Sequence, residues 1–251
     1  MIEITSPQNS LIKSIAKLAS SARERQKTGL TILDGEHLIE SYQLADPKLE
    51  NLKYLFVTQE APRYGLMDDR FIIVPPGLMS KIAPTKSPSG ILGVIHTPQT
   101  KPISNPTLGL LLEDIADPGN LGTIIRTAVA AGAQTIYCTP NCTDIWSPKV
   151  LRASQGAHFE INIQEHYDIT ELKNDFAGTI YGTALDDTSK NLFETDLSGP
   201  TLFAMGNEGS GLSPALKDLC DELIIIPMQG AESLNVGVAS GICLFEKVRQ
   251  S

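Results

Sequence analysis

The chain has 251 residues, 41% of them hydrophobic and 20% charged, and a formal net charge of −9. That length buries a sizeable core and accommodates one or two domains. No apolar run approaches the roughly 20 residues of a membrane-spanning helix. The opening stretch MIEITSPQNSLIKSIAK lacks the apolar segment of a secretory signal, so a cytoplasmic protein without a membrane partner is expected.

The cysteines Cys138, Cys142, Cys220 and Cys243 read as reduced thiols in that setting. Cys138 and Cys142 have a loose metal-like spacing, but no second pair or nearby histidine completes a site, and no metal is expected. An acidic chain is a poor partner for phosphate backbones. Its charge is uneven, however. Residues 1–100 hold 11 cations and 10 anions, whereas residues 101–251 hold 9 and 19. The basic N-terminal stretch with Lys13, Lys17, Arg23, Arg25 and Lys27 is where an RNA backbone would be tolerated, although these residues read equally well as a solvated face.

In chain order, apolar spacing at Leu11, Ile12, Ile15 and Leu18 predicts an amphipathic helix. Strands are expected over 31–33, 53–57, 71–74 and 90–95, and helices over 36–44 and 78–82. This alternation describes a small α/β domain over residues 1–96. Residues 97–107, TPQTKPISNPT, hold three prolines and no apolar periodicity, and read as a linker. From 108 to 251 strands are expected over 108–112, 135–139, 159–163, 179–183, 201–205 and 222–226. Helices are expected over 121–131, 148–153, 214–219 and 234–248. Runs such as Leu223-Ile224-Ile225-Ile226 suit parallel strands covered on both faces.

Three strand-to-helix loops carry the chemistry. The first follows 108–112 and passes through Asp117-Pro118-Gly119 to Asn120, which is read as opening a helix. The one charge early in that helix is Arg126, among Thr123, Ile124, Ile125, Ala128 and Val129. A lone guanidinium in such company suits an oxyanion partner, although a structural ion pair with Glu113 or Asp114 would also account for it. The second loop runs from Met205 through Gly206, Asn207, Glu208 and Gly209 to Ser213-Pro214, a helix start. The third runs from Ile226-Pro227-Met228 to Ser233-Leu234-Asn235. Ligands of open α/β sheets bind beyond the carboxyl ends of the strands, where these loops belong. The glycine order G-x-x-G-x-G at 206–211 is wrong for a dinucleotide fingerprint, and P-loop and nucleophile-elbow motifs are absent. The four histidines fall outside all three loops.

These three ordered motifs resemble the SpoU, or TrmH, family of RNA 2′-O-ribose methyltransferases of the SPOUT class. The likeness covers residues 108–248. A looser one, through Leu33-Asp34-Gly35-Glu36, is to an L30e-like substrate-binding domain. The resemblance implies a SPOUT domain with a mostly parallel sheet and a trefoil knot, S-adenosylmethionine as cofactor, and a homodimer. It also implies an RNA substrate, with ribosomal RNA preferred and tRNA or a non-catalytic RNA-binding module as alternatives. It implies Gly206, Ile226 and Leu234 as cofactor contacts, with Thr183, Ala184, Met205, Gly209 and Met228 beside them. Arg126, Asn120, Glu208, Asn235 and Ser233 form the implied catalytic set. In the family the residue matching Arg126 is sometimes described as a base; because a guanidinium stays protonated, Arg126 is instead expected to hold a phosphate against the ribose hydroxyl, with Asn120 orienting Arg126 or the ribose and Glu208 pairing with or positioning the cation. Taken singly, Asn120 reads as a helix cap, Glu208 as a solvated charge and Asn235 as a cap of the last helix.

Overall fold

The structure, a computed structural model, describes residues 2–61, 70–100, 102–230 and 232–251. Chain contacts divide it into two units, 1–99 with 146–159, and 100–145 with 160–251.

The first unit holds β1 (Ile2–Glu3), α1 (Ser10–Ser20), α2 (Ala22–Thr28), β2 (Leu30–Asp34), α3 (Glu36–Ala45), β3 (Leu52–Val57), β4 (Phe71–Ile73), α4 (Pro76–Ile82) and β5 (Ile91–His96). Its sheet has the order β1-β4-β3-β5-β2, with β5 antiparallel to both neighbours. The apolar stripe of α1 lands as the spacing predicts, with Ile12, Ile15 and Leu18 buried against Ile32, Phe56 and Leu92. Ser21 stops α1 and caps a second helix, α2, which the sequence reading did not separate. The basic stretch changes meaning here. Arg25 is 7% exposed, and its Nη1 donates to the Leu18 carbonyl at 2.7 Å. This cation therefore tethers α2 to α1.

The second unit holds β6 (Leu108–Leu112), α5 (Pro118–Ala130) and β7 (Thr135–Cys138). The chain then leaves for α6 (Pro148–Ser154), which lies in the first unit, and returns at β8 (Asn162–Gln164). By sequence pattern alone, 146–159 belong to the C-terminal domain that begins at 108. The reason for the difference is packing: α6 lies against β2, and the Thr31 hydroxyl donates to the Trp146 carbonyl at 2.7 Å. Phe159, expected to open a strand, ends a 3₁₀ turn.

The remaining elements are α7 (Leu172–Asp175), β9 (Thr179–Thr183), β10 (Lys190–Asn191), β11 (Thr201–Met205), α8 (Pro214–Leu219), β12 (Glu222–Ile225) and α9 (Val236–Gln250). Seven strands pair in the order β10-β12-β9-β11-β6-β7-β8, every pair parallel. The central strands β6 and β11 are buried along their whole length, which explains their unbroken apolar runs. Met205 pairs with Leu112, Ala204 with Gly182, and Ile224 with Thr183. The carboxyl ends of β12, β9, β11 and β6 are thus nearly level, and their loops converge. Helix α9 packs on α5 and β11. Gly237 and Gly241 lie one turn apart on α9, and a Cβ at either would stand 3.5 Å from a methyl of Thr123 or Thr127.

Candidate active site

Each loop is built by local capping. Asp117 caps α5, its carboxylate accepting from the Asn120 N–H at 2.7 Å, and Pro118 takes the first helical position. Asn120 therefore lies inside the first turn and does not open the helix. The displacement frees its side chain for tertiary contacts. Ser213 caps α8 ahead of Pro214, and Asn235 caps α9, accepting from the N–H groups of Gly237 and Val238 at 2.9 and 3.3 Å.

The loop after β6 is held in an unusual shape. Asp114 has φ +55°, a region disfavoured for side chains other than glycine. Four hydrogen bonds fix it there. Thr139 Oγ1 accepts from its N–H and donates to its Oδ1, Asn141 Nδ2 donates to its Oδ2, and Asn207 Nδ2 donates to its carbonyl at 2.8 Å. Asn207 also folds its own loop, its Oδ1 accepting from the N–H groups of Gly209 and Ser210. A second tie joins the same two loops. The Glu113 carboxylate, 8% exposed, accepts from the Ser213 N–H at 2.7 Å and its hydroxyl at 2.6 Å.

These ties frame a cleft of about 350 Å³, within the size range of small-molecule sites. All eight residues expected to touch a cofactor line it. Thr183 and Ala184 come from the end of β9; Met205, Gly206 and Gly209 from the turn after β11; Ile226, Met228 and Leu234 from the loop after β12. Gly206 is there for space, because a Cβ at this position would collide with the Gly211 carbonyl and the Leu212 N–H nitrogen. The Thr183 hydroxyl donates to the Ala204 carbonyl at 3.0 Å, so its polar atom is spent on the wall. Glu208 and Ser233 also line the cleft.

Asn120, Asn235 and Glu208 meet beside it. Asn235 Nδ2 donates to Asn120 Oδ1 at 2.9 Å, and Asn120 Nδ2 donates to Glu208 Oε1 at 3.0 Å. Burial works to raise the Glu208 carboxyl, but the Asn120 amide, its own N–H and those of Ala116 and Asp117 outweigh it and hold the group below its ordinary value of 4.5. The expected pairing of Glu208 with Arg126 does not occur; the carboxylate's partners are this amide and these N–H groups. Arg126 is exposed on α5 and has neither a hydrogen bond nor an ion pair among the described residues. The structural pairings with Glu113 or Asp114 are not formed, since both are occupied as above. No cluster of three metal-ligating side chains occurs among the described residues.

The family model described as the SpoU rRNA Methylase family matches residues 107–245. The chain belongs to the SpoU rRNA methylase family. A second model, the MRM3-like substrate binding domain, matches residues 9–93. Over 98% of both chains, this SpoU protein is 34% identical to the 23S rRNA (guanosine-2′-O)-methyltransferase RlmP of Bacillus subtilis. The AdoMet-bound rRNA methyltransferase of Sinorhizobium meliloti superposes with a TM-score of 0.83 at 30% identity, covering 98% of this chain and 97% of the other. The SpoU methyltransferase AviRb of Streptomyces viridochromogenes, with AdoMet bound, gives 0.85 at 28% identity, covering 97% and 98%.

The sequence pattern gives Asn207 and Asp117 no role of their own, and offers Glu113 and Asp114 only as ion-pair partners for Arg126. Asp117 carried a usable signal, an aspartate directly before Pro118, the pattern of a helix start. Asn207 stands inside the Gly-Asn-Glu-Gly motif, which by itself assigns it no role. The roles of Glu113 and Asp114 depend on loops far apart in sequence, and nothing local announces them.

Proposed function

We propose that this SpoU protein transfers a methyl group from S-adenosylmethionine to a ribose 2′-hydroxyl of ribosomal RNA. The observation carrying this reading is the convergence of all eight expected cofactor residues on one cleft, with the Asn235–Asn120–Glu208 chain at its edge. The residues present fit the cofactor. The cleft offers apolar side chains from Met205, Ile226 and Leu234 for a purine, and at Gly206 bare backbone. When bound, S-adenosylmethionine supplies a methyl group on a sulfonium, which needs neither metal nor covalent intermediate.

The chain's own part is positioning. A guanidinium stays protonated in proteins, so Arg126 does not take the proton. It holds an RNA phosphate against the 2′-hydroxyl and stabilises the developing alkoxide, with the phosphate or a water accepting the proton. Its lack of a hydrogen-bond or ion-pair partner among the described residues supports this role. Asn120, Asn235 and Ser233 supply the polar wall. The first unit acts as the RNA-binding domain, and the C-terminal tail threads a loop as a trefoil knot. No described helix is long and apolar enough to cross a membrane, which is compatible with a cytoplasmic enzyme.

The protein also acts as a homodimer through α9. Val238 and Phe245, seven residues apart and 52% and 49% exposed, share one face with Val248. The test is transfer of labelled methyl from S-adenosylmethionine to unmodified ribosomal RNA, followed by mapping of 2′-O-methylation. The expected result is a single protected ribose; label on a base, or on tRNA alone, would sink the reading.

A further inference from the structure

The three side chains at the cleft edge form a hydrogen-bond chain with a fixed direction. Two backbone N–H groups at the start of α9 point into Asn235 Oδ1, at 2.9 and 3.3 Å. Asn235 Nδ2 then donates to Asn120, and Asn120 Nδ2 to Glu208. An amide side chain can in principle flip, exchanging oxygen for nitrogen. Neither of these can. At one end a backbone N–H only donates; at the other an ionised carboxylate only accepts. A flip of either amide would set donor against donor and acceptor against acceptor.

Each amide keeps one N–H with no partner among the described residues, Asn120 half-buried and Asn235 exposed. The pair therefore presents spare N–H donors. Glu208 is committed to holding them. Its Oε1 accepts from Asn120 Nδ2 and, at 3.4 Å, from the Asp117 N–H, and its Oε2 accepts from the Ala116 N–H at the same distance.

We infer that Glu208 is a positioning residue that locks Asn120 and Asn235 as N–H donors toward a backbone oxygen of the RNA, and that it does not take the proton of the transfer. The inference rests on the methyltransferase reading above. It also assigns opposite duties to two charges near one cleft. Glu208 keeps its charge and spends it on an amide and N–H groups of the protein, and Arg126, without a partner among the described residues, faces the substrate.

The test compares wild type with Glu208→Gln, Asn120→Asp and the double variant. It measures thermal midpoint, S-adenosylmethionine affinity by calorimetry, and kcat and KM on unmodified ribosomal RNA. Asn120→Asp sets one carboxylate against another and removes the donor; turnover should fall about 100-fold, the scale seen when one positioned donor is lost, with a lower thermal midpoint. In the double variant the introduced amide can donate to the introduced carboxylate, while Asn235 still has its acceptor. The midpoint should return toward wild type, turnover should stay down about 100-fold, and cofactor affinity should remain within about twofold of wild type.

Recovery of turnover together with the midpoint would show that the link is structural and its direction irrelevant, and would overturn the inference. Glu208→Gln is isosteric at an exposed position and folds independently of that result. It should lower kcat about tenfold with KM for S-adenosylmethionine unchanged, and an unchanged kcat would equally overturn the inference. A wild-type protein that does not bind S-adenosylmethionine would defeat the parent reading, and this one with it. The variants on an active wild type test the inference alone.

Discussion

At the scale of single residues, burial and partnering separate groups that look alike in the sequence. Arg25 and Arg126 are both arginines in helices; the first is buried with its Nη1 on a helix-end carbonyl, and the second is exposed without a partner among the described residues. Arg126→Ala should lower turnover by about 100- to 1,000-fold and leave S-adenosylmethionine affinity unchanged in calorimetry. Arg126→Lys should rescue little of it, because a point charge does not reproduce a planar fork. Gly206→Ala forces the loop apart, since the added methyl meets backbone that cannot rotate away. S-adenosylmethionine affinity should fall at least about tenfold, or about 1.4 kcal/mol, in the same calorimetry. The cysteines divide too. A hydrogen bond from the Cys138 thiol, against the opposing effect of burial, brings Cys142 down to about 7, whereas burial pushes Cys220 and Cys243 up to about 12. Iodoacetamide should therefore label Cys142 first, at a rate rising through neutral pH as the thiolate forms, and mass spectrometry of the peptides checks the order.

At the scale of elements, the site depends on two loops being tied to each other rather than on either alone. The loop after β6 carries Glu113, Asp114 and Asp117; the loop after β11 carries Asn207, Glu208 and Ser213. All six of these residues take part in hydrogen bonds from one loop to the other. Glu113→Ala would orphan the Ser213 N–H in a half-buried setting, a loss of about 1–3 kcal/mol. Urea unfolding should show that loss as a lower midpoint with an unchanged slope. A merely solvated Glu113 would leave the midpoint where it is.

At the scale of the whole molecule, the parallel sheet decides where chemistry can occur. Strands β12, β9, β11 and β6 end nearly level, so their loops form one surface although they are spread over more than 100 residues of sequence. Helix α9 closes that surface on one side, and its outer face is apolar at Val238, Phe245 and Val248. If a second copy covers this face, light scattering should return twice the 251-residue chain mass at micromolar concentration. Phe245→Glu should then convert it to monomer, because a charge buried without a partner is costly at an interface. A wild-type monomer would remove α9 from consideration as an interface.

How much was legible in the sequence follows from the range of the forces involved. Apolar runs and helix-start residues act within a few positions, so β6, β9, β11, α8 and the three loops could be placed from composition and spacing, whereas the residues of the cleft came from the family resemblance of the three motifs. The excursion 146–159 could not, because its place is set by contacts with β2 and α3, more than 100 residues earlier. Nor could the start of α5. Asp117 and Asn120 are both good caps, and only the geometry of Pro118 and the pull of Glu208 and Asn235 on the Asn120 side chain separate them. The sequence by itself determined which residue types and which loops would meet beyond the sheet. Tertiary structure alone decided how they are paired, that Glu208 faces an amide and Arg126 faces none of the described residues, because hydrogen-bond partners are chosen by distance in space and no local pattern records it.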